Sequence, residues 1–237
     1  MEGDARFLSH HETLRAMELA AVRAGLPLKF TQGFNPHPIL SLPAPRPVGV
    51  ASRDELLVIH LEAPRTDEEV SVALSAQVPR GLRILGAAPL ESRSAPRPQR
   101  ADYVLPLDPS DVHRVQERLD ELERQPVWMV DRWTSPKGRP KHRGPGVIRQ
   151  IDVRPLLADL VLAADRLRWS AVPRNNTWAR PTDLLKLLGL AGPAAVADVV
   201  RTAVQYSQDE SAGAKAAPTP STDNPETKDT HAKKNAD

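Results

Sequence analysis

Two short segments near the amino terminus concentrate the side chains that could carry out chemistry. Residues 6–11 read RFLSHH and residues 31–38 read TQGFNPHP, so histidines, hydroxyls and amides lie close together in both. His10 opens a predicted helix, where the positive end of the helix dipole disfavours an imidazolium ion. A neutral histidine can act as a general base or bind a metal. If the proline-flanked loop around His37 approaches this helix start, His10 and His37 form a candidate catalytic pair.

The same two segments have plainer interpretations, which the sequence leaves open. Ser9 can cap a helix, Asn35 favours a turn and Gly33 permits a positive φ, so these residues could simply form a hydrogen-bonded scaffold. They could also bind a ligand without reacting with it. In that case the candidate ligand-binding residues are Arg6, Ser9, His10, Thr31, Gln32, Gly33, Phe34, Asn35 and His37.

A basic stretch later in the chain predicts a different kind of contact. Residues 132–154 hold seven lysines and arginines against one acid, Asp152, with glycines and prolines between them. Clustered bases in an open loop are typical of phosphate contacts. Trp133 could stack on a base there, whereas Trp128 fits a core. An ordinary solvated loop is the alternative. The candidate nucleic-acid-binding residues are Lys137, Arg139, Lys141, Arg143, Arg149 and Arg154.

The residue types also exclude several classes of chemistry. The chain has no cysteine, which excludes disulfides, thiolate zinc sites, cysteine nucleophiles and cysteine-ligated iron–sulfur clusters within it. The sequence contains no glycine-rich phosphate loop, nucleophile elbow, metalloprotease motif or calcium-binding loop. We therefore predict no cofactor and no metal site.

Composition separates the body of the chain from its tail. Residues 208–237 are almost all small, polar or charged, so they cannot bury enough apolar surface to offset chain entropy, and we predict disorder there. The tail holds four lysines and six acids, which leaves a net charge of +4 on residues 1–207 against +2 overall. Such a body permits a nucleic-acid partner. No stretch approaches the roughly 20 apolar residues of a membrane span, and no apolar signal-peptide run opens the sequence. We expect a cytoplasmic protein without a membrane partner.

Periodicity in residues 1–92 predicts one ferredoxin-like unit. Ser9 with Glu12, and Thr66 with Glu69, have the spacing of capping boxes, and apolar residues recur on one face of each following helix. A first strand is predicted at 5–8, extended segments at 26–31 and 39–42, and further strands at 55–61 and 82–88. The order of strand, helix, strand, strand, helix and strand is the ferredoxin-like pattern.

Residues 93–207 repeat this order loosely, after a proline- and serine-containing linker at 91–100. Strands are predicted at 102–107, at 127–133, at 147–153 and, as a hairpin turning near Ala164 and Asp165, at 159–172. Helices are predicted at 110–124 and 182–188, whereas 197–206 fits either element. The predicted fold class is α+β, with two ferredoxin-like units in tandem before the disordered tail.

Several motifs carry a resemblance to a known family. RFLSHHE at 6–12, GLPLKFTQGFNPHPILS at 25–41, VGVASRDE at 48–55, IDVRPLL at 151–157 and ARPTDLLKLLGL at 179–190 are similar to segments of the radical SAM-linked protein family. Its members occur as separate chains or as C-terminal extensions of cobalamin-binding radical SAM proteins. The likeness covers nearly all of residues 5–190, except that the family's Leu-Asp after the first histidine is His11-Glu12 here. The resemblance implies a radical SAM protein as partner and, more loosely, an RNA-related pathway.

Three functions stay open on this basis. A non-catalytic accessory protein would bind or present RNA to a radical SAM enzyme, and another chain would hold the cysteine-ligated cluster. A metal-independent RNA-processing enzyme would use His10 as a general acid or base, so that His10→Ala abolishes cleavage without unfolding the protein. A protein-interaction module without nucleic acid would direct its bases at an acidic partner surface.

Overall fold

A five-stranded sheet organises most of the chain and positions the residues discussed below. The structure is a computed structural model that describes residues 1–91, 94–134 and 146–207. Its helices are α1 (His10–Arg23), α2 (Asp67–Ser75), α3 (Pro109–Glu123), α4 (Pro181–Leu187) and α5 (Pro193–Asp198). Its strands are β1 (Leu40–Ser41), β2 (Ala51–Ser52), β3 (Val58–Ile59), β4 (Pro98–Pro106), β5 (Met129–Thr134), β6 (Val147–Asp152), β7 (Leu157–Ala163), β8 (Arg166–Ala171) and β9 (Val200–Tyr206). Short 3₁₀ helices lie at Gly3–Phe7 and Arg154–Leu156.

The large sheet has the strand order β2-β9-β4-β8-β7. β2 runs parallel to β9, and the other neighbours are antiparallel. Because β2 comes from the amino-terminal part of the chain, this pairing joins the two predicted units in one sheet. The pairs β1–β3 and β5–β6 are separate two-stranded sheets. When the β5–β6 hairpin is set aside, residues from β4 to β9 have the order strand, helix, strand, strand, two short helices, strand.

The main core lies on one face of the large sheet because side chains alternate along β4 and β8. Tyr103 and Leu105 of β4 and Leu167 and Trp169 of β8 are buried on that face. The rings of Tyr103 and Trp169 stack with their centroids 5.4 Å apart. α3 covers this face with Val115, Leu119 and Leu122. The residues between these buried positions therefore lie on the opposite face.

Both predicted capping boxes are confirmed. In α1 the Ser9 hydroxyl accepts a hydrogen bond from the Glu12 backbone N–H, and the Glu12 carboxylate accepts one from the Ser9 N–H. Thr66 and Glu69 repeat this exchange at the start of α2. Each box satisfies donors that a helix start leaves without intrahelical partners, so the local sequence determines where both helices begin.

Two predicted strands of the first unit are absent. The strand expected at 5–8 is wrong, because Gly3–Phe7 is a 3₁₀ helix and the Leu8 N–H bonds back to the Ala5 carbonyl. The segment 82–88 is described but is not a strand; its Ile84 packs against a small cluster around Ala21 and Leu74. The mixed α+β class is confirmed, whereas two ferredoxin-like units in tandem are not confirmed.

The later predictions fare better. α3 and α4 match the predicted helices, and the β7–β8 hairpin turns at Ala164, whose φ is +52°, and Asp165. The ambiguous segment 197–206 is mostly strand β9, and β4 begins at Pro98, inside the predicted linker. The domain boundary itself stays a prediction, and the predicted tail lies outside the described residues. Within the described part of the chain, no helix has the length and hydropathy needed to cross a membrane.

Candidate nucleic-acid interface

The face of the sheet opposite the main core carries a pocket lined by arginines. In β8 the sequence Arg166-Leu167-Arg168-Trp169 alternates, so burial of Leu167 and Trp169 places both arginines on the exposed face. Arg168 pairs in register with Val104 of β4 on one side and Val161 of β7 on the other. The pocket has a volume of about 520 Å³. Its lining comprises Arg53, Arg100, Asp102, Tyr103, Val104, Asp159, Val161, Ala163, Arg166, Arg168, Trp169, Ser170 and Thr202.

Asp102 organises one end of this pocket. Its Oδ1 accepts hydrogen bonds from Arg100 Nε at 2.7 Å and from the Ser170 hydroxyl at 2.6 Å. The same guanidinium lies 2.5 Å from Asp159 Oδ2 on β7. Hydrogen bonds with Asp102 and then Asp159 raise the pKa of Arg100, which keeps it fully charged. Both acids of the lining are thus engaged by one arginine, and the remaining arginines are not neutralised by them.

Three lining arginines are available to a ligand. Within the part of the chain that the structure describes, the guanidinium groups of Arg53 and Arg168 make no hydrogen bond and no ion pair. Arg166 has one loose contact, 3.7 Å from Asp165, and both side chains are about 60% exposed. Such an exposed pair contributes little and exchanges readily with another anion. The pocket therefore presents positive charge around an apolar floor made by Val104, Val161 and Ala163.

His10 lies elsewhere, in a much smaller cavity. It is the first residue of α1 and shares the cavity with Thr13, Arg46 and Glu55, among others. The space is about 10 Å³, which corresponds to about one water molecule. His37 does not line this cavity. The structure thus gives His10 polar neighbours in a cavity that is too small for a nucleotide.

Two arginines near the start of α1, Arg46 and Arg6, stabilise the fold by donating to backbone carbonyls. Arg46 donates to the backbone carbonyls of Arg6, Pro47, Val50 and Leu8, and its side chain is 4% exposed. Burial lowers the pKa of Arg46, and Glu55, 3.8 Å away, opposes that effect. Arg6, a predicted ligand-binding residue, donates to the carbonyls of Ala197 and Gly3. Its guanidinium therefore fastens the amino-terminal segment to the region before β9.

The TQGFNPHP segment forms an exposed turn of its own. Thr31 N–H donates to the His37 carbonyl and the His37 N–H donates to the Thr31 hydroxyl, which closes the turn. The predicted positive φ of Gly33 is confirmed at +136°. Phe34 is completely exposed, and Gln32, Asn35 and His37 are exposed as well. These residues form the exposed tip of a loop that the hydrogen bonds between Thr31 and His37 close. Their assignment as a ligand-binding site stays a prediction.

The basic stretch divides between structural and exposed residues. Lys137, Arg139, Lys141 and Arg143 lie outside the described residues. Arg149 is exposed on β6. Arg154 is exposed, donates to the Gln125 carbonyl at 2.5 Å and lies over the ring of Trp128, 5.7 Å from its centroid; its contact with nucleic acid stays a prediction. Trp128 is buried as predicted, whereas Trp133 is 63% exposed.

Comparison with known families assigns the chain to a group. Residues 1–181 match the model of a family described as "Uncharacterized protein conserved in bacteria (DUF2344)". The chain belongs to this family. The search of curated proteins finds no match. The matched part of this DUF2344 protein contains β4, β7 and β8, which supply most of the pocket lining.

The pocket arginines of this DUF2344 protein were not singled out from its sequence. Arg53 lies within the VGVASRDE segment, whereas no motif marks Arg100, Arg166 or Arg168. One signal was available: the alternation of arginine with Leu167 and Trp169 in a predicted strand predicts two arginines on one sheet face. Among the described residues, no group of three His, Asp or Glu side chains is placed to hold a metal ion.

Proposed function

We propose that this protein is a non-catalytic accessory protein of a radical SAM enzyme, which binds RNA on the exposed face of its large sheet and presents it to that enzyme. The observation that carries the RNA part is the pocket in which, among the described residues, the guanidinium groups of Arg53 and Arg168 have no partner and Arg166 has only a loose one. A cleft lined by charges of one sign attracts ligands of the opposite charge and raises their association rate.

Several features favour RNA over a small anion. The arginines border an open sheet surface with an apolar floor and with Ser170 and Thr202 nearby. RNA-binding modules of the strand-helix-strand-strand-helix-strand type bind single strands on a sheet face, where bases stack on aromatic side chains. Here arginines and the apolar side chains of Val104, Val161 and Ala163 occupy the corresponding face. We infer that residues 98–206 form a ferredoxin-like unit of this kind, and the analogy is one of fold. Arg149 and the bases predicted at 137–143 add positive charge to the same chain.

The resemblance to radical SAM-linked proteins supports the rest of the proposal. A radical SAM enzyme needs cysteine thiolates for its cluster, and this chain has none. A division of labour follows, in which this chain supplies substrate binding and a cysteine-containing partner supplies the radical chemistry. The nuclease alternative has less support, because the cavity beside His10 holds about one water molecule and His37 lies outside it.

The proposal is tested by recovering the tagged protein from its own cell extract after ultraviolet crosslinking, and by identifying the bound protein and RNA. We expect a cysteine-rich iron–sulfur protein together with a defined set of RNAs. The matched control is Arg114→Ala, an exposed arginine on α3 that lies outside the pocket. The double variant Arg166→Ala/Arg168→Ala should lose the RNA and keep the protein partner.

Other outcomes decide against parts of the proposal. Recovery of RNA trimmed at a fixed site, without an iron–sulfur protein, would favour the RNA-processing enzyme. A protein partner whose recovery is unchanged by nuclease treatment, with no RNA above background, would favour the interaction module. If neither protein nor RNA is enriched over an untagged control, the accessory function is wrong.

A further inference from the structure

The spacing of Arg166 and Arg168 on β8 indicates which kind of nucleic acid the sheet face can bind. Arg166 and Arg168 are alternate residues of one strand, so their Cα atoms are about 7 Å apart and their side chains leave the sheet on the same face. This separation is close to that between successive phosphates of an extended nucleotide chain. Two guanidinium groups at this spacing can each meet one phosphate of a strand that runs along β8.

The floor beside these arginines favours unpaired bases. Val104 and Val161 flank Arg168 across the sheet, and Ala163 pairs with Arg166. In a duplex the bases face each other and are not free to lie on such a floor. The bases of a single strand can be splayed onto an apolar surface or stacked against guanidinium planes.

Negative charge at the other end of the pocket limits where phosphates can lie. Asp102 pairs with Ser170 across β4 and β8, Asp159 lies between Ala158 and Val161 of β7, and both carboxylates are engaged by Arg100. A phosphate placed there would be repelled by two carboxylates and would compete for a guanidinium already held by them. The phosphates are therefore confined to the end of the pocket that holds Arg166 and Arg168.

From this geometry we infer that the sheet face binds a single-stranded RNA segment of at least two nucleotides, with successive phosphates on Arg166 and Arg168. The inference rests on the proposed RNA-binding function and specifies its ligand. The pocket of about 520 Å³ is within the usual range of ligand sites, and an extended strand continues beyond it over the sheet.

The inference is tested by fluorescence anisotropy with the full chain and a short end-labelled oligouridylate, over a series of salt concentrations. Each phosphate contact with a single strand contributes about 0.7 to the slope of log K against log salt. Arg166→Ala and Arg168→Ala should each lower the slope by about 0.7, and the double variant by about 1.4. Arg168→Lys should keep the slope and bind more weakly, because lysine keeps the charge and loses the planar fork. Arg114→Ala is the control and should not change the slope.

Two competitors complete the test. An RNA duplex of the same length and uridine monophosphate should both compete much less well than the unlabelled single strand. Equal competition by either one would overturn the inference, as would an unchanged salt slope in the double variant. If wild-type protein binds the strand and the sheet variants bind it equally well, the RNA-binding function stands and this site is wrong. If wild-type protein shows no binding, both are wrong.

Discussion

The guanidinium of Arg132 and the carboxylate of Asp183 form a two-point ion pair in which both side chains are buried. Arg132 Nε donates to Asp183 Oδ1 at 3.2 Å, and its second nitrogen donates to Oδ2. The two side chains are 6% and 3% exposed. Asp183 also accepts from the Arg180 N–H at 2.6 Å at the start of α4. Arg132 thus fastens the β5–β6 hairpin to α4, and it does not belong to the nucleic-acid-binding bases among which its position in the sequence places it.

Loss of Asp183 should destabilise the fold strongly. Asp183→Leu leaves a buried guanidinium without its counter-ion, which costs about 3–5 kcal/mol of unfolding free energy. The measurement is urea denaturation followed by circular dichroism. The double variant Arg132→Met/Asp183→Leu should recover much of the loss, because both charges are then removed. As a control, Asp111→Ala breaks the exposed pair with Arg114 and should cost less than about 1 kcal/mol. Equal losses in the two single variants would show that the buried pair is not the reason.

Alkaline titration should show that the pKa values of both tyrosines are raised in the folded protein. Burial raises the pKa of Tyr103, and it raises the pKa of Tyr206 to about 12. The folded state holds these protons more tightly, so the stability they contribute is present below the ordinary tyrosine pKa of about 10 and is lost as pH rises toward the folded values. We expect little phenolate absorbance in native protein near pH ~10, where urea-unfolded protein is half titrated.

A variant separates the two tyrosines. Tyr206→Phe should remove the transition near pH 12 from the native curve and leave that of Tyr103. Native and unfolded curves that coincide would contradict the burial of both side chains.

The parts of the fold that were predictable are those encoded locally. Ser9 with Glu12 specifies the start of α1 through bonds within four residues, and Gly33 supplies a positive φ at its own position. The turn at Ala164 follows from two adjacent apolar strands. The same reasoning failed at 5–8, because a four-residue strand has no local signal that distinguishes it from a 3₁₀ turn and depends on a distant partner for its hydrogen bonds.

The candidate site was not predictable for a related reason. Arg100 falls in the predicted linker and Arg168 in a predicted strand, and no neighbour in the sequence indicates whether either arginine is neutralised. Only the sheet order brings Asp159 of β7 within 2.5 Å of Arg100 and leaves Arg168 between two valines. Whether an arginine is neutralised or available depends on strands far apart in the chain, and periodicity carries no information on that pairing.

Acid should weaken both capped helices. The hydrogen bonds from Ser9 lower the pKa of Glu12, and those from Thr66 lower the pKa of Glu69. These carboxylates stabilise the folded state above the ordinary glutamate pKa of roughly 4.3, and the contribution disappears as pH falls through the lower folded values. Thermal melts of Glu12→Gln/Glu69→Gln should show a smaller drop in Tm on acidification than those of the parent. Glu123→Gln, which lies outside both caps, should show the same drop in Tm on acidification as the parent. If the double variant also showed the parent's drop, the two capping carboxylates would not be the source of the acid sensitivity.

Replacement of His10 should leave RNA binding intact. Its side chain lines a cavity with Arg46 and Glu55 and does not line the arginine pocket. We expect His10→Ala to bind oligouridylate with the parent's affinity and salt slope, and neither protein to shorten the RNA on a denaturing gel. Cleavage by the parent that His10→Ala abolishes, with an unchanged circular dichroism spectrum, would instead establish the RNA-processing alternative.

Trp133 should report whether the β5–β6 hairpin also contacts RNA. It is 63% exposed and pairs across the hairpin with Ile148, itself 65% exposed. A Cβ built on Gly146 would come within 2.1 Å of the Trp133 indole, so glycine at that position lets the ring lie against the backbone. If the ring stacks on a base, Trp133→Ala should weaken oligouridylate binding by about 1–3 kcal/mol, whereas Trp133→Phe should retain most of it.

Gly146→Ala provides an independent test of the same contact, because it displaces the ring without removing it. Its anisotropy curve should shift in the direction of the Trp133→Ala curve. As a surface substitution, Trp133→Ala should change the unfolding free energy by no more than about 0.5 kcal/mol, so weaker binding could not be attributed to unfolding. If all three hairpin variants bind as the parent does while Arg168→Ala does not, the Trp133 ring does not contact RNA.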